Sequence, residues 1–262
     1  MKYKILLIGD SCLDVYQYGT VDRISPEAPV PIFKHKETET KLGMASNVRK
    51  NLEVLGCHVK FLTDLPSKKI RLIDQKSKHH ICRIDTDEIT QPIKAGKWEP
   101  LINDGYDAVV ISDYNKGLIS YSLISDIRKK YRGPIFIDTK KPDLKQFEYC
   151  FIKINSVEYK ASTSMHGHRS NLIVTNGADD VVCHLDDTMG DYIRLIPVPK
   201  VESFDVCGAG DTFLSALTYG YLEYGKMESA VEFAIKASTI TIKHLGVYAP
   251  TLEEINEQFG ME

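Results

Sequence analysis

The chain has 262 residues, 43% of them hydrophobic and 26% charged, with a formal net charge of −3. That is an ordinary globular composition, and the length allows one large domain or two small ones. A near-neutral charge gives no electrostatic case for nucleic acid, and no run approaches the ~20 apolar residues of a membrane span. The N-terminus lacks the basic–apolar–small plan of a signal peptide. The six scattered cysteines include no C-x-x-C pair, so free thiols in a reducing cytoplasm are expected.

Residues 3–9, Tyr-Lys-Ile-Leu-Leu-Ile-Gly, predict a buried parallel strand. Asp10 and Asp14 follow at its C-terminal end, where open α/β sheets bind ligands. Carboxylates there either solvate a loop or bond substrate hydroxyls. Residues 16–41 break the α/β rhythm. The run Arg23-Ile-Ser-Pro-Glu-Ala-Pro-Val-Pro31 cannot be helical. Residues 30–36 predict an edge strand, where proline is tolerated, within a β lid over the crevice. Gly43 and Asn47 lead into a helix running to about residue 55, with Gly56 as its C′ residue. Asn47 is either a buried structural amide or a ligand-orienting one.

A second short strand is expected over 59–63, then a hairpin over 70–73 and 79–84 that completes the lid. By themselves Arg83 and Asp85 would be an exposed pair worth little. His79 and His80 point to opposite faces of a strand and cannot chelate one ion together. His166-Gly-His168 has no Cys or carboxylate ligand set around it and is expected to be a solvated loop.

From residue 107 the alternation is regular. It gives a strand at 108–112, a helix at 118–131, strands at 134–138 and 151–154, a helix from Ser156, and strands at 172–175 and 180–185. This predicts an α/β fold with a doubly wound, mostly parallel sheet and helices on both faces, in a single domain over 1–262. Polar residues stand at the strand ends. Asn155 and Glu158 by themselves would be a helix cap with a first-turn acid. Residues 205–211, Asp-Val-Cys-Gly-Ala-Gly-Asp, open a helix over 212–224 with Phe213, Ala216, Leu217, Tyr221 and Tyr224 on one face. A glycine loop opening a helix aims N–H groups and the helix dipole at one point, which makes an anion site. Asp211 inside that site is either an N-cap, the commoner explanation from spacing alone, or a base poised where a phosphoryl group lands. A further amphipathic helix is expected over 228–244, ended by Gly246.

The D-x-x-G-A-G-D pattern at 205–211 resembles the signature of the ribokinase/PfkB family of sugar kinases. Other stretches resemble the family in the same order. Gly9-Asp10 with Asp14 is similar to its opening G-D-x-x-x-D. Gly43 and Asn47 match G-G-x-x-x-N, with Met44 in place of the second glycine. Arg83-Ile-Asp85 matches R-x-D, and Ser112-Asp113-Tyr114-Asn-Lys116-Gly117 matches S-D-Y-x-K-G. Asp138-Thr-Lys140 resembles D-P-K, Asn155 with Glu158 resembles N-x-x-E, and Thr175-Asn-Gly177 resembles T-x-G. Residues 18–31 resemble one branch closely, the bacterial heptose-7-phosphate kinases that serve ADP-heptose synthesis. The segment at 64–69 departs from the family by its shortness and is expected to lack a surface helix.

The resemblance implies a ribokinase-like fold whose β lid is formed by about 15–42 and 70–85. It implies ATP-dependent phosphorylation of a sugar or sugar phosphate. Asp211 would be the catalytic base, and the amides of Gly208, Ala209 and Gly210 the anion hole. Asp10, Asp14, Gly43, Asn47, Arg83, Asp113 and Lys116 would hold the acceptor. Lys140, Asn155, Thr175 and Gly177, with Gly208 and Gly210, would line the nucleotide site, and Ala234, Ala237 and Ser238 would either lie near an adenine ring or simply pack. Asn155 and Glu158 would attend Mg²⁺, largely through water. A monovalent cation and a homodimer through the lid are further expectations. Met44 is expected to narrow the sugar pocket, and with the short segment it motivates an alternative: a sugar- or nucleotide-binding member with weak or lost catalysis. A dinucleotide-dependent oxidoreductase would need G-x-G-x-x-G after the first strand, where this chain has Gly-Asp-Ser-Cys-Leu-Asp. Members of the branch often carry a nucleotidyltransferase domain, and none is expected within these residues.

Overall fold

The computed structural model describes residues 2–259 except 65–66, 87–89, 165, 168 and 188–189. His168 and part of the short 64–69 segment therefore lie outside the described residues. The chain starts with β1 (Lys4–Gly9), then leaves it for two long strands, β2 (Ser11–Ile24) and β3 (Pro31–Met44). Helix α1 (Ala45–Val54) returns to β4 (His58–Leu62), and β5 (Ser67–Asp74) and β6 (His80–Thr86) form a hairpin. Then come α2 (Ala95–Ile102), β7 (Ala108–Asp113), α3 (Tyr121–Lys130), β8 (Ile135–Thr139), β9 (Phe151–Asn155) and α4 (Ser156–Ala161). The remainder is β10 (Asn171–Asn176), β11 (Asp179–Asp187), β12 (Gly190–Ile196), α5 (Ala209–Tyr224), α6 (Met227–Thr241) and α7 (Leu252–Phe259).

Eight strands form one sheet in the order β12-β11-β10-β9-β8-β7-β1-β4, parallel from β4 to β10 and antiparallel at β11 and β12. Side chains alternate across a strand, so the continuous apolar run of β1 feeds both faces. Ile5 and Leu7 pack with α1, α5 and α6, while Leu6 and Ile8 pack with α2 and α3. The expected doubly wound sheet is therefore present. The lid is a separate four-stranded sheet in the order β3-β2-β5-β6. It begins at Ser11 rather than near residue 15, so Asp14 is a lid residue and not part of a loop after β1. Between β4 and β5 there is no helix among the described residues.

Several boundaries differ from the sequence expectation. Helix α3 starts at Tyr121, because the Ser120 hydroxyl accepts from the Leu123 amide at 3.1 Å and caps it there. Helix α5 begins at Ala209, three residues early, and α6 stops at Thr241 before the turn that contains Gly246. Three elements had no sequence signal strong enough to register. In α2 an internal Pro100 masks the pattern. Strand β12 is an exposed edge, and α7 has only eight residues.

Candidate active site

The first turn of α5 lies where the lid, β7, β8 and β9 converge. Gly208 adopts φ 81° just before the helix, and a side chain there would meet the Asn47 amide nitrogen at 2.8 Å. Only glycine satisfies both demands. Asp211 follows in the first turn, buried. It does not cap its own helix: Oδ2 accepts from Asn47 Nδ2 and Oδ1 accepts from the Tyr114 hydroxyl, both at 2.9 Å. Burial pushes its carboxyl up to about 6, with Asp138 adding to the rise, while the two hydrogen bonds and Lys153 oppose it. A buried carboxylate tuned to that range can accept a proton near neutral pH. Among the amides expected to form an anion hole, that of Ala209 is already directed at Val206 O, 3.3 Å away. The first-turn amides of Gly210 and Asp211 have no partner within their own helix.

The residues expected to hold an acceptor come from β1, the β7 loop and the lid. Asp10 Oδ2 accepts from the amides of Tyr114 at 2.9 Å and Lys116 at 3.2 Å. Its Oδ1 is buried and has no hydrogen-bond partner. Burial raises the Asp10 pKa, and Asp113 adds to this while the two amides oppose it. A buried acceptor atom without a donor suits a ligand hydroxyl. Asp14 is ion-paired with Arg71, and the Cys12 thiol lies 3.6 Å from its Oδ2. A side chain on Gly43 would fall 2.3 Å from that same Oδ2, so the glycine makes room for Asp14.

Cross-strand register places Asp14, Lys41, Lys69, Arg71, Arg83 and Asp85 on one lid face. Arg71 also lies over the Tyr16 ring, and Lys41 Nζ lies 3.5 Å from the position of a Cβ on Gly246, so this face looks toward the α5 entrance. Arg83 is itself exposed and bonded to Asp85. Asp113 is turned into the fold, where it accepts from the Asn115 amide and the Thr139 hydroxyl and lies 3.5 Å from Lys141.

On the other side of α5, Thr175, Gly177, Ala209, Gly210 and Ser238 line a largely apolar cavity of about 240 Å³ with Phe213. Ala234 and Ala237 do not reach it; both are buried in the helix packing. Asn155 and Glu158 form a reciprocal capping box at the start of α4, and Lys140 is ion-paired with Glu158. Each side-chain oxygen keeps a free lone-pair direction, so the pair suits Mg²⁺ held through water rather than by direct ligation. Among the described residues no three His, Cys, Asp or Glu side chains cluster closely enough to hold an ion themselves.

Three side chains at this site were absent from the sequence-derived site residues. Lys153 stands in the middle of an apolar strand, buried, with Nζ donating to Asp138 Oδ2 at 2.7 Å. A Cβ on Gly210 would lie 3.0 Å from that Nζ, so the ammonium abuts the opening of α5. Burial pulls the lysine pKa down, and the Asp138 charge and hydrogen bond, with Glu158 and Asp211 beyond, leave it raised overall. A charged residue inside a buried strand pattern was the available signal. Tyr114 lay within a quoted motif, and Arg71 within a hairpin strand.

A small β lid over the carboxyl ends of a mostly parallel sheet, with a buried carboxylate at a glycine-opened helix, defines a ribokinase-like fold. The structure of Arabidopsis thaliana ribokinase complexed with ribose and ATP superposes with a TM-score of 0.73, covering 100% of both chains at 14% identity. Residues 144–255 match the profile of the pfkB family carbohydrate kinases. The match takes in 112 of the 262 residues, so the C-terminal part of the chain is similar to the pfkB family carbohydrate kinases. Among curated proteins it is similar to the bifunctional protein HldE of Nitratiruptor, 29% identical over 308 aligned positions covering 98% of this chain. The HldE protein of Hyphomonas neptunium is 30% identical over 96% of this chain. The chain spans 65% and 62% of the length of these two relatives. The 308 positions exceed the chain's own 262 residues, so the Nitratiruptor protein carries additional residues within the matched region.

Proposed function

We propose that this protein transfers the γ-phosphoryl group of ATP to a hydroxyl of a sugar phosphate, as a heptose-7-phosphate kinase does. The observation that carries the reading is Asp211, a buried carboxylate at about 6 set in the mouth of an anion-binding helix start. ATP lies with its base in the apolar cavity beside Thr175, Gly177 and Ser238 and its phosphates toward Gly208, Ala209 and Gly210. The acceptor hydroxyls bond Asp10 and Asp14, with Gly43 and Asn47 beneath them.

Asp211 takes the proton of the attacking hydroxyl as the new oxygen–phosphorus bond forms and the bridging oxygen leaves with ADP. First-turn amides and the Lys153 ammonium meet the charge on the transferring group, where fixed donors contribute most. Lys140 and Lys116 add positive charge at the edges. Mg²⁺ arriving with ATP would neutralise phosphate oxygens, with Asn155 and Glu158 holding its waters.

The cations of the inner lid face, Lys41, Lys69, Arg71 and Arg83, support an acceptor that already carries a phosphate. Leu42 and Ile84, exposed on the opposite lid face, support pairing of two lids in a homodimer. The test is ATP consumption with hexoses, heptoses and their phosphates, by the wild type and by Asp211→Asn. Turnover confined to phosphorylated acceptors and lost in the variant is expected. Sugar or nucleotide binding without turnover in the wild type would favour a member that has lost catalysis.

A further inference from the structure

Tyr114 touches three parts of the site at once. Its backbone amide donates to Asp10 Oδ2 at 2.9 Å, and its hydroxyl donates to Asp211 Oδ1 at 2.9 Å. Its ring lies 5.2 Å from the Lys140 ammonium, which is itself paired with Glu158. The turn that presents it is fixed by Asn115 at φ 57° and by the Asn115 amide donating to Asp113 Oδ1. The side chain is half-buried, and desolvation, with Asp211 and Asp138 nearby, raises the phenol pKa well above 10, so it is a neutral donor.

With Asn47 donating to Oδ2, both Asp211 oxygens are held, each by one donor. A carboxylate oxygen has two lone pairs, so each keeps one direction for an incoming hydroxyl. Deepening the kinase reading above, we propose that Tyr114 is a positioning residue for the base. It fixes the Asp211 carboxylate in one rotamer, keeps it ionised, and leaves an oxygen lone pair aimed at the acceptor hydroxyl.

The groups facing Asp211 are Asn47 from α1, Tyr114 from the β7 loop, Asp138 from β8, Lys153 from β9, the Cys12 thiol from the lid and the Cys207 thiol from the loop before α5. Asn47, Tyr114 and Lys153 favour the ionised form, and Asp138 opposes it. Removing the phenol hydroxyl takes away one of these supports, so the carboxyl should titrate at higher pH.

The test is Tyr114→Phe, which keeps the ring and its packing, checked for folding by its thermal melt. The first readout needs no turnover: the carboxyl carbon resonance of Asp211 is followed by NMR against pH in the unliganded proteins. Its midpoint is expected to rise by about half a unit to one unit in the variant. The second is the pH profile of kcat with the best acceptor found. Its acid limb is expected to move up by the same amount, with kcat at neutral pH falling about tenfold and KM for ATP unchanged. An unmoved Asp211 midpoint, or a variant with the wild-type kcat and pH profile, would overturn the assignment. A raised midpoint with no acceptor phosphorylated by either protein would support the positioning of Asp211 while sinking the kinase reading.

Discussion

Met44 sits at φ 55° and ψ −135°, a backbone conformation that belongs almost entirely to glycine. Its side chain is nonetheless buried. The family pattern has glycine here, so the strain has a direct remedy. Holding a non-glycine residue in such a region costs about 1–3 kcal/mol, and a glycine in the unfolded chain forfeits ~0.5–1 kcal/mol of that gain through entropy. Truncating a buried methionine to alanine costs about 2–5 kcal/mol. Met44→Ala loses the packing and keeps the strain. Met44→Gly loses slightly more packing and sheds the strain. The usual order of alanine over glycine should therefore invert, with the glycine variant more stable than the alanine variant by about 1–2 kcal/mol. For a chain of this size that is a melting difference of roughly 2–6 °C, readable by calorimetry or by urea midpoints. An alanine variant equal to or more stable than the glycine variant would refute the strain argument. The same glycine protein should accept larger sugar phosphates with raised kcat/KM and change little toward small acceptors. An unchanged ranking of acceptors would mean that Met44 does not bound the sugar.

Three other perturbations test the site. Asp211→Asn should lower kcat by ~10²–10⁴ with ATP still bound, and the wild-type kcat should fall as pH drops through about 6, where the base takes up its proton. That folded-state value lies above the ordinary 3.8, so the linked stability is full below 3.8 and lost as pH rises through about 6. Between pH 5 and 7 wild type should lose on the order of 1–2 kcal/mol relative to Asp211→Asn in urea melts, and parallel pH profiles would contradict this. Lys153→Met strands Asp138 in a largely buried setting and should cost about 3–5 kcal/mol together with most of kcat. Adding Asp138→Leu should restore stability and not activity; activity that returns with stability would remove Lys153 from the phosphate site. Asp14→Ala should weaken acceptor binding by ~1.5–3 kcal/mol for each charge-assisted bond lost, with ATP affinity unchanged in the absence of sugar by calorimetry. Equal weakening of both ligands would make Asp14 structural.

The sequence by itself carried the alternation of strands and helices, the lid, and the Gly-Ala-Gly-Asp helix opening. These are local matters: apolar runs with period two or 3.6, glycines where backbone must turn, and prolines that forbid helix. It named Asp10, Asn47 and Asp211 as candidate site residues through the family resemblance, since by position alone each could equally have been a loop carboxylate, a structural amide or a helix cap. Only the tertiary structure decided how those residues use their atoms. Asp211 could have capped its helix; instead Asn47 and Tyr114, 164 and 97 residues away in sequence, hold its two oxygens. Asp113 sits in a matching motif yet turns inward, because Thr139 and Lys141 from the neighbouring strand end reach it. Lys153 looks misplaced in an apolar strand until Asp138 on the adjacent β8 supplies its counter-charge. Pairings between elements distant in sequence depend on sheet order and register. Those are fixed by burial of the whole chain and leave little trace in any one stretch of it.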